Sequence, residues 1–372
     1  MASGDVLGDG VTFRPVLTAL VAALLAGLAC RAAAQPTPPD AHDSDFTIHD
    51  FKFRSGEALP VLRLHYLTLG EPIRDAAGAV TNAVLVLHGT GGSGRQFLAP
   101  QFAGELFGPG QLLDTRKYFI ILPDDIGHGK SSKPSDGLRA HFPRYDYADM
   151  VEAEHALVTE GLGIARLRLI MGTSMGCMHA FMWGETWPAA ADALMPLACL
   201  PVPIAGRNRL WRAMVVHAIR SDPAWGGGDY AREPRAGLET AADIIAIAGS
   251  APLQMQKSLP AARDADPYLE AYLGRVLPTL DANDLIYAIE ASKDYDPSPG
   301  LEEISAPVMW VNSADDFINP PELGIAEREA PRLPQGRFVL LPISLATHGH
   351  GTHTWAEAWK GYLAELLSRS AP

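Results

Sequence analysis

Residues 172–180 read GTSMGCMHA, and the hydrophobic period changes inside them. Upstream, LRLIM (167–171) is a continuous apolar run of the kind that forms a strand buried on both faces. Downstream, Met178, Phe181 and Met182 recur at helical spacing until Pro188. The expected order is strand, tight turn, helix, with Ser174 on the turn. Gly172 and Gly176 leave room where the helix and a neighbouring strand crowd that turn. A serine so placed lies at the carboxyl end of a sheet, and the next helix aims its N-terminus at the same point. The alternative is an ordinary structural turn. The setting makes Ser174 the candidate nucleophile.

The rest of the chain supplies the sheet. AVLVLH (83–88) and YFIILP (118–123) are further apolar runs bounded by Gly, Pro or Asp, as are ALMPLA (193–198), PVMWVN (307–312) and RFVLLP (337–342). Helical stretches such as YADMVEAEHALVTEGLG (147–163) lie between strands, which predicts an α/β fold with a mostly parallel sheet and flanking helices. FTIHDFKF (46–53) and VLRLHYLTLG (61–70) alternate like a pair of antiparallel strands. Residues 201–300 contain no strand run and are expected to form a helical cap inserted into the sheet. The α/β core is thus expected to come from two stretches, 46–200 and 301–372, with the cap over 201–300 between them.

A serine hydroxyl needs a base to take its proton and a carboxylate to orient that base. The strand–turn–helix setting predicts the chain order Ser, acid, His. SADDFINPPE follows the run 307–312 and offers Asp316, which leads DFINPP, with Asp315 as the alternative. THGHGTHTW follows the last strand and offers His350 between two glycines, with His353 as runner-up and His348 as a loop hydrogen-bonder. H-x-H-x-x-H also admits a zinc site, though the acid and the serine would then have no role. The oxyanion is expected to meet the backbone N–H of Met175 and that of Thr90, in the loop HGTGGSG (88–94). His128, in DDIGHGKSS, precedes the serine in the chain and reads as structural. Such chemistry calls for no metal and no organic cofactor.

The chain has 372 residues and a net charge of −13. That surface argues against nucleic acid and against anionic membranes. VLTALVAALLAGLA (16–29) is short for a membrane span, and Ala32 and Ala34 give an A-x-A site before Gln35. Residues 1–34 are expected to be a signal peptide and 35–45 a Pro-rich linker, with the mature protein periplasmic or secreted and free of the membrane. Asp5 and Asp9 are unusual in such a leader. Cys177 and Cys199 read as buried free thiols, with a single disulfide as the alternative in an oxidising compartment.

With these motifs in place, the chain resembles the α/β-hydrolase superfamily and, within it, the homoserine O-acetyltransferase family and its hydrolase-like relatives. GTSMGCMHAFMW is similar to that family's nucleophile segment, RNRLWRAMVVHAIRSDPAWGGGDY to the segment leading into its cap, and SADDFINPPE and GHGTHTW to its acid and histidine segments. The resemblance implies Ser174, Asp316 and His350 as the triad, and a homodimer joined through the cap. It also implies an arginine for the homoserine carboxylate, where this chain has Val216, and an aspartate for the amine, where it has Gly351. Those departures remove the partners of a zwitterion, so the expected reaction is hydrolysis of a small-molecule acyl ester. Acyl transfer, to homoserine as in that family or to another acceptor, and a catalytically silent binding protein on the same fold are the alternatives.

Overall fold

The computed structural model describes residues 40–370. The expected signal peptide, and the linker up to residue 39, lie outside the described residues. Eight strands form one sheet: β1 His42–Lys52, β2 Ala58–Leu69, β3 Ala83–Leu87, β4 Phe119–Pro123, β5 Leu169–Thr173, β6 Leu194–Leu197, β7 Val308–Ser313 and β8 Gly336–Leu341. Their order is β1-β2-β4-β3-β5-β6-β7-β8. β1 and β2 run antiparallel to each other, and β2 to β4; all later neighbours are parallel.

The continuous apolar runs become the central strands because those strands have no solvent face: β3 to β7 are buried along their whole lengths. The two-residue period splits their side chains between two cores. Leu85, Leu87, Ile121 and Ile170 pack with helices Tyr147–Ala156 (α2) and Met175–Thr186 (α3). Val84, Val86, Ile120, Leu122 and Met171 pack with Pro100–Leu106 (α1) and Lys360–Arg369 on the opposite face.

β1 starts at His42, so the last four residues of the expected linker 35–45 are strand. Hydrophobic alternation does not mark them, because charge fixes them instead. Asp43 accepts from Arg95 at 2.8 Å and from Lys130 at 2.7 Å. Those contacts hold its carboxyl well below the usual carboxylate range, the Lys130 bond first.

Between Leu197 and Val308 the chain is helical. Helices Gly206–Ser221 (α4), Arg235–Ala248 (α5), Pro252–Ser258 (α6), Ala265–Val276 (α7) and Ala282–Glu290 (α8) fill that span. They carry a separate apolar cluster that includes Val215, Ile219, Leu238 and Ile286. Among the described residues no helix is long and apolar enough to cross a membrane.

β3 pairs with β4 on one side and β5 on the other, so the chain reverses its direction of travel across the sheet at β3. Crevices at the carboxyl ends of strands around such a reversal are where open α/β sheets bind ligands. The loops after β3 and β5 carry Thr90 and Ser174.

Candidate functional site

Ser174 joins β5 to α3 with φ 55° and ψ −107°, a conformation that L residues adopt at a cost of about 1–3 kcal/mol. Surrounding contacts impose it. The Ser174 N–H donates to Leu197 O at 2.8 Å, and that of Gly176 to His88 O at 2.9 Å. A Cβ at Gly172 would stand 1.8 Å from Gly176 O, and one at Gly176 would stand 2.2 Å from Leu87 O. The helix therefore starts this close to β3 only because both positions are glycine.

The structure brings Ser174, His350 and Asp316 together from three loops. The Ser174 hydroxyl and His350 Nε2 are 2.8 Å apart, and His350 Nδ1 and Asp316 Oδ2 are 2.9 Å apart. Asp316 is 3 % exposed. Burial alone would raise its pKa, but the His350 ring, the Asn319 amide and the Ile318 N–H outweigh it and hold the carboxyl below the usual range. Asn319 had no signal of its own beyond the shape of DFINPP. It donates to Asp316 Oδ2 and to Ala198 O, each at 3.0 Å, and so ties the acid loop to the end of β6.

Asp315 does different work. It accepts from the Thr347 hydroxyl at 2.8 Å and from the Gly349 N–H at 3.2 Å, which positions the histidine loop. His353 is half-buried, with its ring centre 5.2 Å from that of His350, which alone takes the Ser174 hydroxyl. His348, expected as a loop hydrogen-bonder, donates its backbone N–H to the Thr352 hydroxyl at 2.8 Å and stacks its ring on Trp355 at 3.9 Å. Of the three histidines, His350 is the one whose ring reaches both Ser174 and Asp316. His128 is buried and bonds Ile126 O through Nδ1 at 3.0 Å.

Thr90 and Gly91 line a cavity of about 360 Å³ together with Ser174 and His350. Met175 is the first residue of α3, where N–H groups have no intrahelical acceptor. Among the described residues no acidic side chain lines the cavity; its walls are mainly cap residues such as Trp211, Ile245, Leu285 and Ile289. Val216 is buried in the cap's apolar cluster and Arg212, one turn earlier on α4, lines the cavity.

Behind the turn lies a buried group that the sequence did not reveal. Glu154 on α2 takes His179 Nδ1 and Trp183 Nε1, each at 2.7 Å. Asp125, His179 and Glu154 have ligand-type atoms within 4.8 Å of one another. Burial pushes the Glu154 carboxyl up to about 7 and the His179 ring down to about 4. Burial, then the Glu154 charge, raises Asp125 well above the carboxylate range. Glu154, engaged by both N–H donors, ties α2 to α3, while the two Asp125 carboxyl oxygens and His179 Nε2 have no hydrogen-bond partner among the described residues.

Cys177 and Cys199, expected as buried free thiols, are joined in a disulfide. β5 and β6 are adjacent, and the two cysteines follow their carboxyl ends, which sets their Cα atoms 5.8 Å apart. The bridge spans 22 residues. Loop-closure entropy gives it about 3 kcal/mol of stability. Reductant, or Cys199→Ala, should therefore lower the denaturant midpoint measurably; an unchanged midpoint would show that the bridge contributes nothing.

Comparison with known proteins gives the same fold. A model described as alpha/beta hydrolase fold matches residues 82–345. A homoserine O-acetyltransferase of Thermobifida fusca (strain YX) is 31% identical over 303 residues, covering 72% of this chain and 78% of its own. An acetylester hydrolase from Corynebacterium glutamicum superposes with a TM-score of 0.77 at 20% identity, over 88% of this chain and 96% of its own. The acetyl esterase MekB gives 0.77 at 24% identity, over 88% and 97%.

Proposed function

The chain belongs to the alpha/beta hydrolase fold family, as a relative of the homoserine O-acetyltransferases, and from that premise we propose that it is a serine hydrolase of small carboxylic esters. Members of this family group are hydrolases or acyltransferases, and this protein is an enzyme of that kind. The observation that carries the finer reading is the relay Ser174–His350–Asp316, with links of 2.8 and 2.9 Å.

The steps follow from the geometry. Ser174 Oγ attacks the acyl carbonyl while His350 Nε2 takes the hydroxyl proton. Asp316 holds Nδ1 of the ring and stabilises the imidazolium that forms. The tetrahedral oxyanion meets the N–H groups of Met175 and Thr90, whose fixed dipoles need no reorganisation as charge develops. His350 then gives its proton to the departing alcohol, leaving an acyl-enzyme. Water, activated by the same ring, releases the acid and restores Ser174.

Hydrolysis is favoured over transfer to homoserine by the cavity lining. An ammonium group entering it would meet no carboxylate among the described residues. Burial of a charge without a partner is heavily penalised. An aryl acetate should therefore be hydrolysed, while acetylation of L-homoserine by acetyl-CoA should be at least about 100-fold less efficient, at roughly 1.4 kcal/mol per tenfold. Efficient, saturable formation of O-acetylhomoserine would instead make the protein an acyltransferase. We also propose export, supported by the apolar run before Ala34 and by the disulfide, which persists in oxidising compartments. N-terminal sequencing of protein from its native host should begin near Gln35; an intact Met1 in the cytosol would refute export. A homodimer and the absence of nucleic-acid partners belong to the same proposal.

A further inference from the structure

Arg212 is 2 % exposed and its side chain lines the cavity that also holds Ser174 and His350. A guanidinium in that position ordinarily faces a carboxylate, because removing it from water leaves a large uncompensated desolvation penalty. Here no acidic side chain pairs with it among the described residues. Its Nε donates to Asn208 Oδ1 at 3.0 Å and its Nη1 to Ser292 Oγ at 3.2 Å, both neutral acceptors. Nη2 makes no well-formed hydrogen bond among the described residues, although guanidinium offers five N–H donors. The neighbouring cation cannot help: Arg209 is three residues away and is engaged by Glu290 at 3.2 Å. The Tyr147 phenol stands beside Arg212, also without a well-formed hydrogen bond.

Apart from Tyr272 and Thr279, the cap residues around Arg212 in the wall are apolar, and Trp211 lies under the guanidinium at 4.8 Å from ring centre to Cζ. The cation is thus held in place by two neutral acceptors and a ring, with donors left over, in the cavity that Ser174 also lines. Burial lowers its pKa from the ordinary arginine range, which records the same missing counter-charge.

We propose that Arg212 anchors a carboxylate carried by the substrate, so that the substrates are small esters bearing a free carboxylate. The inference rests on the hydrolase reading above. The carboxylate sits on one of two sides of the scissile bond: on the acyl group, as in a half-ester of a dicarboxylic acid, or on the alcohol, as in an acylated hydroxy acid. The planar fork of the guanidinium suits either, since it binds a carboxylate through two parallel N–H donors. The cavity, about 360 Å³, takes a short molecule in both cases.

Two matched pairs of esters test this. For the acyl side, p-nitrophenyl hydrogen glutarate is compared with p-nitrophenyl methyl glutarate. For the alcohol side, 3-acetoxybenzoate is compared with its methyl ester. The wild-type protein should favour the carboxylate in one pair by about 10- to 100-fold in kcat/KM, the strength of a charge-assisted pair. Arg212→Met should bring that ratio close to one, chiefly through KM, and Arg212→Lys should retain part of the preference. If Arg212→Met does not fold, the wild-type ratios alone decide. Turnover of both neutral esters as fast as their carboxylates would overturn the anchor and leave the hydrolase standing. Turnover of none of the four, with Ser174 inert to a phosphonylating reagent, would overturn both.

Discussion

Ser174→Ala should leave the purified protein folded and reduce kcat on an aryl ester by about a millionfold, the loss measured for a triad serine in a well-studied protease. The size follows from what the hydroxyl does. Removing Oγ removes the bond-forming atom itself, so no acyl-enzyme forms and only the oxyanion donors and the cavity remain to help water. The fold should survive, because the backbone contacts that impose φ 55° at this turn come from Leu197 O and the packing of Gly172 and Gly176, not from the side chain. The check is kcat by stopped assay beside a circular dichroism spectrum. A folded variant keeping more than roughly one percent of activity would move the nucleophile elsewhere.

His350→Ala should produce a loss of comparable size, since a missing base strands the serine proton as fully as a missing serine. His353→Ala is the control, because the two residues share a loop and the sequence kept both open. His353 is half-buried with its Nδ1 enclosed, and burial, then the neighbouring His350, pulls its ring down to about 3. It stays neutral throughout the working pH range, and His350 alone takes the Ser174 hydroxyl. Its loss should leave a small cavity that weakens the fold by about 1–3 kcal/mol, with turnover reduced far less than in His350→Ala. The reverse ranking would transfer the base to His353.

The features of this fold that were legible in sequence are those fixed by local pattern. Central strands announce themselves as apolar runs because both faces are covered, and Ser174 is marked by glycines whose absence of Cβ the turn demands. The order Ser, acid, His narrows two late loops to a few residues. What stayed hidden depends on which elements become neighbours. Nothing near Cys177 states that β5 lies beside β6, so the disulfide with Cys199 had no local mark. Asp43 joins a strand through ion pairs with Arg95 and Lys130, partners 52 and 87 residues away. Glu154 and His179 meet only because α2 and α3 share one face of the sheet. Arg212 and Val216 are one helical turn apart, and only the packing of α4 decides which of them faces the cavity.

The central claim is that Ser174 is an activated nucleophile. A fluorophosphonate reacts with a serine only when a base has raised its nucleophilicity, and it remains attached. The protein should be incubated with such a reagent, digested and analysed by mass spectrometry. The expected result is one stoichiometric adduct on the peptide containing GTSMGCMHAF, absent from Ser174→Ala and from His350→Ala. A protein that stays unlabelled while folded, or one labelled at another serine, would contradict the account.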